Sequence, residues 1–170
     1  MSISATTRNP RPNEVDGREY FFLTQDIFKS WAAEEKFLEY AEIYGNFYGT
    51  PAHIIEEKLN AGIDVLLEID VQGALNVMKK SPDGIYIFLL PPSIDELVNR
   101  IKNRGTESDE VLQRRIESAT SEISIGKNYQ YVVVNDSVEA AVDKIKMIIA
   151  AERCKVSRNI DVFNNFEGKQ

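Results

Sequence analysis

Val65-Leu66-Leu67-Glu68-Ile69-Asp70-Val71-Gln72-Gly73 is where the chain changes its grammar. From Val65 to Ile69 the run is apolar apart from Glu68, the pattern of a parallel strand covered on both faces. The residues after it read as a helix with Ala74, Leu75 and Met78 facing inward. The alternation then repeats. Residues 85–90 are a second buried strand, ended by Pro91-Pro92. Ser93-Ile94-Asp95-Glu96 is a capping box that starts a helix carrying Leu97 and Ile101, and Gly105 breaks it. Ser108 and the acids after it open another helix, with Leu112, Ile116, Ala119 and Ile123 on one face. Residues 131–134 form a third buried strand and residues 136–153 a final amphipathic helix. Strands that alternate with helices imply an α/β fold with a parallel sheet.

Upstream of that run the pattern differs. Arg18-Glu19-Tyr20-Phe21-Phe22-Leu23 has the aromatic enrichment of a strand. Thr24 can cap a short helix that buries Phe28 and Trp31. Residues 37–44 alternate, with Phe37, Glu39, Ala41 and Ile43 on one side, and Gly45-Asn46 reads as a tight-turn pair that returns Phe47-Tyr48 antiparallel. Thr50-Pro51 supplies a capping residue and a first-position proline for a helix that Gly62 closes. This first third is expected to be a small, aromatic, mostly antiparallel lobe.

A length of 170 residues fits one domain with a sizeable core. The net charge of −7 argues against non-specific binding to nucleic acid or anionic membrane, which needs a basic face. Any phosphate site must therefore be local, built from a few placed arginines. Cys154 is the single cysteine, so no internal disulfide or metal-ligand spacing is available, and a reducing, cytoplasmic compartment is expected. His53, between Thr50-Pro51 and an acidic run, reads as a surface residue of its helix. No apolar run reaches membrane-spanning length. Residues 159–170 are polar and read as a flexible tail.

Candidate chemistry gathers in three places. Ser4-Ala5-Thr6-Thr7-Arg8-Asn9-Pro10-Arg11 sets Arg8 and Arg11 beside hydroxyls in a segment that Pro10 and Pro12 keep from becoming helical. Guanidinium forks with hydroxyl neighbours suit a phosphate monoester; a solvated basic arm is the plainer alternative. Tyr20 and Tyr48 can extend phenols towards the same phosphate, or simply pack in the lobe.

Ligands of open α/β sheets lie beyond the carboxyl ends of the strands, where Glu68 and Asp70 stand. Asp70 either caps the next helix or, as an acceptor-only carboxylate, reads a donor-rich edge such as guanine's ring N–H and amino group. Glu39, in the aromatic lobe, could supply a second acceptor; a solvated side chain on its strand is the plainer alternative. Finally, Arg100, Arg104, Arg114 and Arg115 flank a Gly-Thr hinge. They form either a solvated helix face or a closing lid over a transferring phosphoryl group.

Several stretches, in order and with family spacing, resemble guanylate kinase. They are Ser2-Ile3-Ser4-Ala5-Thr6-Thr7-Arg8-Asn9-Pro10-Arg11-Pro12, Phe37-Leu38-Glu39, Gly45-Asn46-Phe47-Tyr48-Gly49-Thr50 and Leu67-Glu68-Ile69-Asp70-Val71-Gln72-Gly73. Leu90-Pro91-Pro92-Ser93, Arg104-Gly105-Thr106 and Val133-Val134-Asn135-Asp136 complete the likeness. It implies a P-loop-kinase-like parallel sheet flanked by helices. A GMP-binding lobe over residues 4–50 and a helical lid over residues 93–126 would belong to one domain, residues 1–158.

The implied reaction is transfer of the γ-phosphoryl of MgATP to GMP, giving ADP and GDP. By similarity, Ser4, Arg8, Arg11, Tyr20 and Tyr48 would hold the GMP phosphate. Glu39, Thr50 and Asp70 would read guanine, with Glu68 close by. Arg104 and Arg115, supported by Arg100, would be catalytic lid arginines; Arg104 and Asn135 would contact ATP, and Mg²⁺ would arrive with it. Positioning and electrostatics would do the catalysis.

The likeness departs in one respect. The family begins with a strand, a glycine-rich P-loop and a helix, and no G-x-x-x-x-G-K-[ST] run occurs in these residues. A unit of roughly 30 or more residues is missing on this reading. These residues alone are then expected to be inactive or weak, needing a separate N-terminal P-loop segment as partner. The alternatives are a non-catalytic guanylate-kinase-like module that binds GMP or a phosphorylated peptide, and one part of a split or truncated enzyme.

Overall fold

The computed structural model describes residues 1–104 and 109–167, apart from the side chains of residues 104, 109–112, 115, 165 and 167. They divide into two compact units, Met1–Gly84 and Ile85–Gln170.

The first unit holds strands β1 (Ser4–Thr6), β2 (Tyr20–Phe22), β3 (Phe37–Ile43) and β4 (Asn46–Pro51) and helices α1 (Gln25–Ala33), α2 (Ala52–Asn60) and α3 (Val71–Lys80). Its sheet runs β2-β1-β4-β3, with β1 and β2 parallel and the other pairs antiparallel. The aromatic lobe is thus present. Phe28, 1% exposed, is clasped by Phe37 at 4.4 Å and Phe47 at 5.4 Å between ring centroids. Ala5 completes the buried cluster, and Phe21, Leu23 and Trp31 pack on it. Thr24 caps α1 by accepting the Ile27 N–H.

Three local expectations need correction here. The hairpin turn is centred on Tyr44-Gly45, not Gly45-Asn46. Both residues have positive φ, 50° and 78°, which gives the twist a two-residue hairpin needs, and Asn46 already pairs with Ile43. Helix α2 begins at Ala52; Pro51 still faces Phe37 in the ladder, and the Thr50 hydroxyl is turned to Glu39 instead of capping. Residues 65–69, read as a buried parallel strand, carry no strand pairing. Ser2 N–H donates to Leu66 O at 3.0 Å, but one such bond is not a ladder, and Leu66 is 51% exposed.

The second unit pairs β5 (Ile87–Leu90) with β6 (Tyr131–Val134) in parallel, Ile87 opposite Tyr131. Helices α4 (Ile94–Arg104), α5 (Asp109–Ile125), α6 (Val138–Arg153) and α7 (Ile160–Glu167) complete it. These strands, expected to be buried, are only partly covered: Val133 is 2% exposed, but its register partner Leu89 is 51% exposed and Val132, on the other face, 62%. The Ser93 hydroxyl accepts the Glu96 N–H, as the capping box requires, and Ser137 caps α6 through the Ala140 N–H. α6 is not the final helix, since residues 160–167 of the expected tail form α7.

Candidate functional site

Glu39 is a carboxylate placed inside a sheet. It lies on the inward face of β3, next to an irregularity in the β3–β4 register between Phe37 and Glu39, and is 5% exposed. Thr50 stands directly across the ladder and donates its hydroxyl to Glu39 Oε1 at 2.7 Å. Burial pushes the Glu39 carboxyl above its ordinary range; the Thr50 hydroxyl opposes the shift, and the nearby charge of Asp70 adds to it. Asp70 is the N-cap of α3, accepting the Gly73 N–H on Oδ1 at 2.8 Å. The cap bond uses only part of the acceptor capacity of Asp70, whose carboxylate can still accept a further donor. At the far end of α3, Lys80 donates to Leu38 O at 2.6 Å and ties the helix to β3.

The Arg8 end of the lobe is also built. Thr6 and Thr7 pin the exit of β1: the Thr6 hydroxyl donates to Phe47 O, the Arg8 N–H donates to Thr6 Oγ1, and Thr7 Oγ1 accepts the Phe47 N–H. Arg8 then meets Glu14 as a two-bond fork, Nη1 to Oε2 and Nη2 to Oε1, each 3.0 Å. Nη1 also donates to Asn9 O at 2.6 Å. A guanidinium has five N–H donors, so these bonds leave Nε–H and one Nη2–H, with the Tyr48 phenol a further neighbour. The Arg8 guanidinium lies 5.5 Å from the Tyr20 ring centroid and 5.9 Å from that of Phe22. Glu14 raises the Arg8 guanidinium above its usual value, and Arg8 in turn holds the Glu14 carboxyl below its own.

Of the other expected residues, Ser4 is paired in register with Tyr20, whose ring meets Tyr48 edge-on at 6.2 Å. Burial, then the Tyr48 neighbour, raises the Tyr20 phenol, and the Glu68 charge adds to this. The Arg11 side chain is exposed, while its N–H donates to Glu14 Oε2 at 2.6 Å. Glu14 itself is a residue that sequence reasoning missed. Nothing in its sequence neighbourhood marks it, and only the loop, with Asn13 at φ 73°, carries it back to Arg8.

In the second unit Arg100 and Asn135 come together. Arg100 Nε donates to Glu96 Oε1 at 2.7 Å and Nη2 donates to Asn135 O at 3.0 Å, while the Asn135 N–H holds Leu90 O. Arg114 is exposed. The side chains of Arg104 and Arg115 lie outside the described residues. Among the described residues no three His, Cys, Asp or Glu side chains gather to hold a metal ion, and no helix is long and apolar enough to cross a membrane.

The guanylate kinase family model matches residues 1–152. The chain belongs to the guanylate kinase family. A guanylate kinase of Caldanaerobacter subterraneus subsp. tengcongensis is 53% identical over 163 residues, 96% of this chain and 79% of that relative. One from Clostridium perfringens (strain 13 / Type A) is 56% identical over 158 residues, 93% of this chain and 73% of that relative. Among solved structures, the crystal structure of guanylate kinase from Anaplasma phagocytophilum matches with a TM-score of 0.81 at 35% identity. It covers 92% of this chain and 77% of that one. The α/β architecture is therefore that of a guanylate kinase.

Proposed function

We propose that this chain is the GMP-binding and lid-bearing part of an ATP:GMP phosphotransferase, in which Glu39, Thr50 and Asp70 read guanine. The observation that carries the reading is a buried carboxylate held by one hydroxyl bond, with a second carboxylate beside it. Guanine presents a ring N–H and an amino group on one edge, and two acceptor-only groups match them. Adenine carries an acceptor at that ring position and would strand a buried carboxylate, so GMP is preferred over AMP.

The GMP phosphate is assigned to the donors that Arg8 has left, to the Tyr20 and Tyr48 phenols, and to Ser4 and Arg11, while Glu68 stands close to the guanine-reading group. Arg104 and Arg115, with Arg100 in support, stabilise charge on the phosphoryl group in flight, and Arg104 and Asn135 lie beside ATP. Mg²⁺ comes with ATP as the counter-ion of its phosphates. The cytoplasm is the matching compartment. Residues 1–158 act as one domain, with the lobe at 4–50, the lid at 93–126, and 159–170 as an appendage.

No G-x-x-x-x-G-K-[ST] run lies in these residues, so their own turnover is expected to be absent or weak until a segment supplies that loop. The test is ADP release from the purified chain with MgATP, with and without GMP. No turnover alone, and GMP-dependent turnover once a P-loop segment is restored, is the expected result. Turnover of roughly 1–100 per second by these residues alone would overturn the dependence on that loop. No GMP-dependent turnover even after restoration would overturn the assignment of activity.

A further inference from the structure

Gly73 stands where a glycine is hard to justify by local rules. It lies in the first turn of α3, where glycine is the poorest choice after proline. Its φ is not among the positive values that call for glycine, which among the described residues occur at Gly17, Gly45 and Gly62. Its N–H donates to the capping Asp70 carboxylate, but any residue except proline has an N–H. What distinguishes the position is space. A Cβ there would stand 2.5 Å from Glu39 Oε2, 2.9 Å from Asp70 Oδ1 and 3.1 Å from Glu39 Cδ. Glu39 cannot swing aside freely, because it is 5% exposed and its other oxygen is bonded to Thr50. Asp70 Oδ1 is likewise fixed by its cap bond.

We infer that Gly73 is a specificity-determining position: its missing Cβ lets the Glu39 and Asp70 carboxylates converge on the first turn of α3 at the spacing a guanine-type donor edge requires. The inference rests on the base reading proposed above. Gly73 acts through the two carboxylates, so it is a positioning residue and makes no contact of its own with the base. A methyl at residue 73 forces the carboxylates apart or turns Glu39 from its Thr50 bond, and the acceptors then miss the N–H and amino donors together.

The experiment is a titration of the full chain with GMP, inosine monophosphate (which lacks the 2-amino group) and AMP, in a cycle of Gly73→Ala and Glu39→Ala. Gly73→Ala is expected to lose roughly 10–100-fold in GMP affinity, the scale of one charge-assisted hydrogen bond, and to narrow the GMP preference over both other nucleotides. In the Glu39→Ala background the 2.5 Å contact is gone and only Asp70 Oδ1, at 2.9 Å, still crowds the position, so the same substitution should cost clearly less GMP affinity than in the parent. If Gly73→Ala alone does not fold, the double variant regaining a cooperative thermal transition supports the clash with Glu39. A double variant that also stays unfolded overturns it. Unchanged GMP affinity in Gly73→Ala, or an equal loss in both backgrounds, overturns the inference while leaving the base reading intact. A wild-type chain without preference for GMP over AMP overturns the base reading and this inference with it.

Discussion

Replacing Glu39 by glutamine should strengthen the fold and weaken the site at the same time. At neutral pH the buried Glu39 carboxyl, raised by burial and by the Asp70 charge, is a group whose folded pKa lies above its unfolded value. Such a group favours the folded state below the unfolded pKa, and that contribution is lost as pH rises through the folded pKa. Near neutrality Glu39 therefore costs stability. Glutamine keeps the shape and an oxygen for the Thr50 hydroxyl, now 2.7 Å from Oε1, and removes that cost.

Each ~1 kcal/mol recovered would raise the thermal midpoint of a chain of this size by about 2–4 °C. Binding moves the other way. The amide turns an acceptor into a donor opposite the donor edge of guanine and deletes a charge-assisted hydrogen bond, about 1.5–3 kcal/mol, or roughly 10–150-fold in GMP affinity. The assay pairs ligand-free thermal unfolding at pH 7 and near pH 4 with calorimetric GMP titration. Glu39→Gln should melt higher at pH 7, lose that advantage near pH 4, and bind GMP weakly. A variant that melts lower at pH 7, or that binds GMP as tightly as the parent, would refute the reasoning.

Arg8→Lys replaces a fork engaged by both Glu14 oxygens with a point charge, so GMP affinity should drop by about 1.5–3 kcal/mol while guanosine, lacking the phosphate, binds as before; calorimetry with the two ligands reads the difference. Phe28→Ala empties the centre of the aromatic cluster between Phe37 and Phe47 and should cost about 3–5 kcal/mol in denaturant unfolding of the lobe, a loss under 1 kcal/mol contradicting its place as the core.

Much of the lobe was legible because its signals are local. Aromatic β-formers at 20–22, the Thr24 cap and the alternation at 37–43 act through neighbours in sequence, and the structure has them. The hairpin turn slipped by one residue because Tyr44, not a residue that favours positive φ, takes that conformation. Residues 65–69 show the harder limit. An apolar run has the composition of a buried strand, but a strand exists only with a partner, and pairing is a long-range fact. The exposure of Leu89 and Val132 on the parallel pair has the same origin.

Residues 160–167 hid a helix behind polar composition, although Ile160, Phe163 and Phe166 recur at three-residue spacing. In the site, Asp70 was readable as a carboxylate at the end of an expected strand and Glu39 as a second acceptor in the lobe, and Asp70 both caps α3 and raises Glu39. Glu14 and Gly73 were not readable in these roles. One reaches Arg8 only through the folded loop, and the other matters by the atom it lacks.

The most direct test of the guanine-reading lobe is calorimetric titration of the unmodified chain with GMP and with AMP, without ATP. The account predicts saturable GMP binding and AMP weaker by at least roughly 100-fold, since a site built around acceptors rejects an edge that lacks their donors. Equal affinities for the two nucleotides would contradict it.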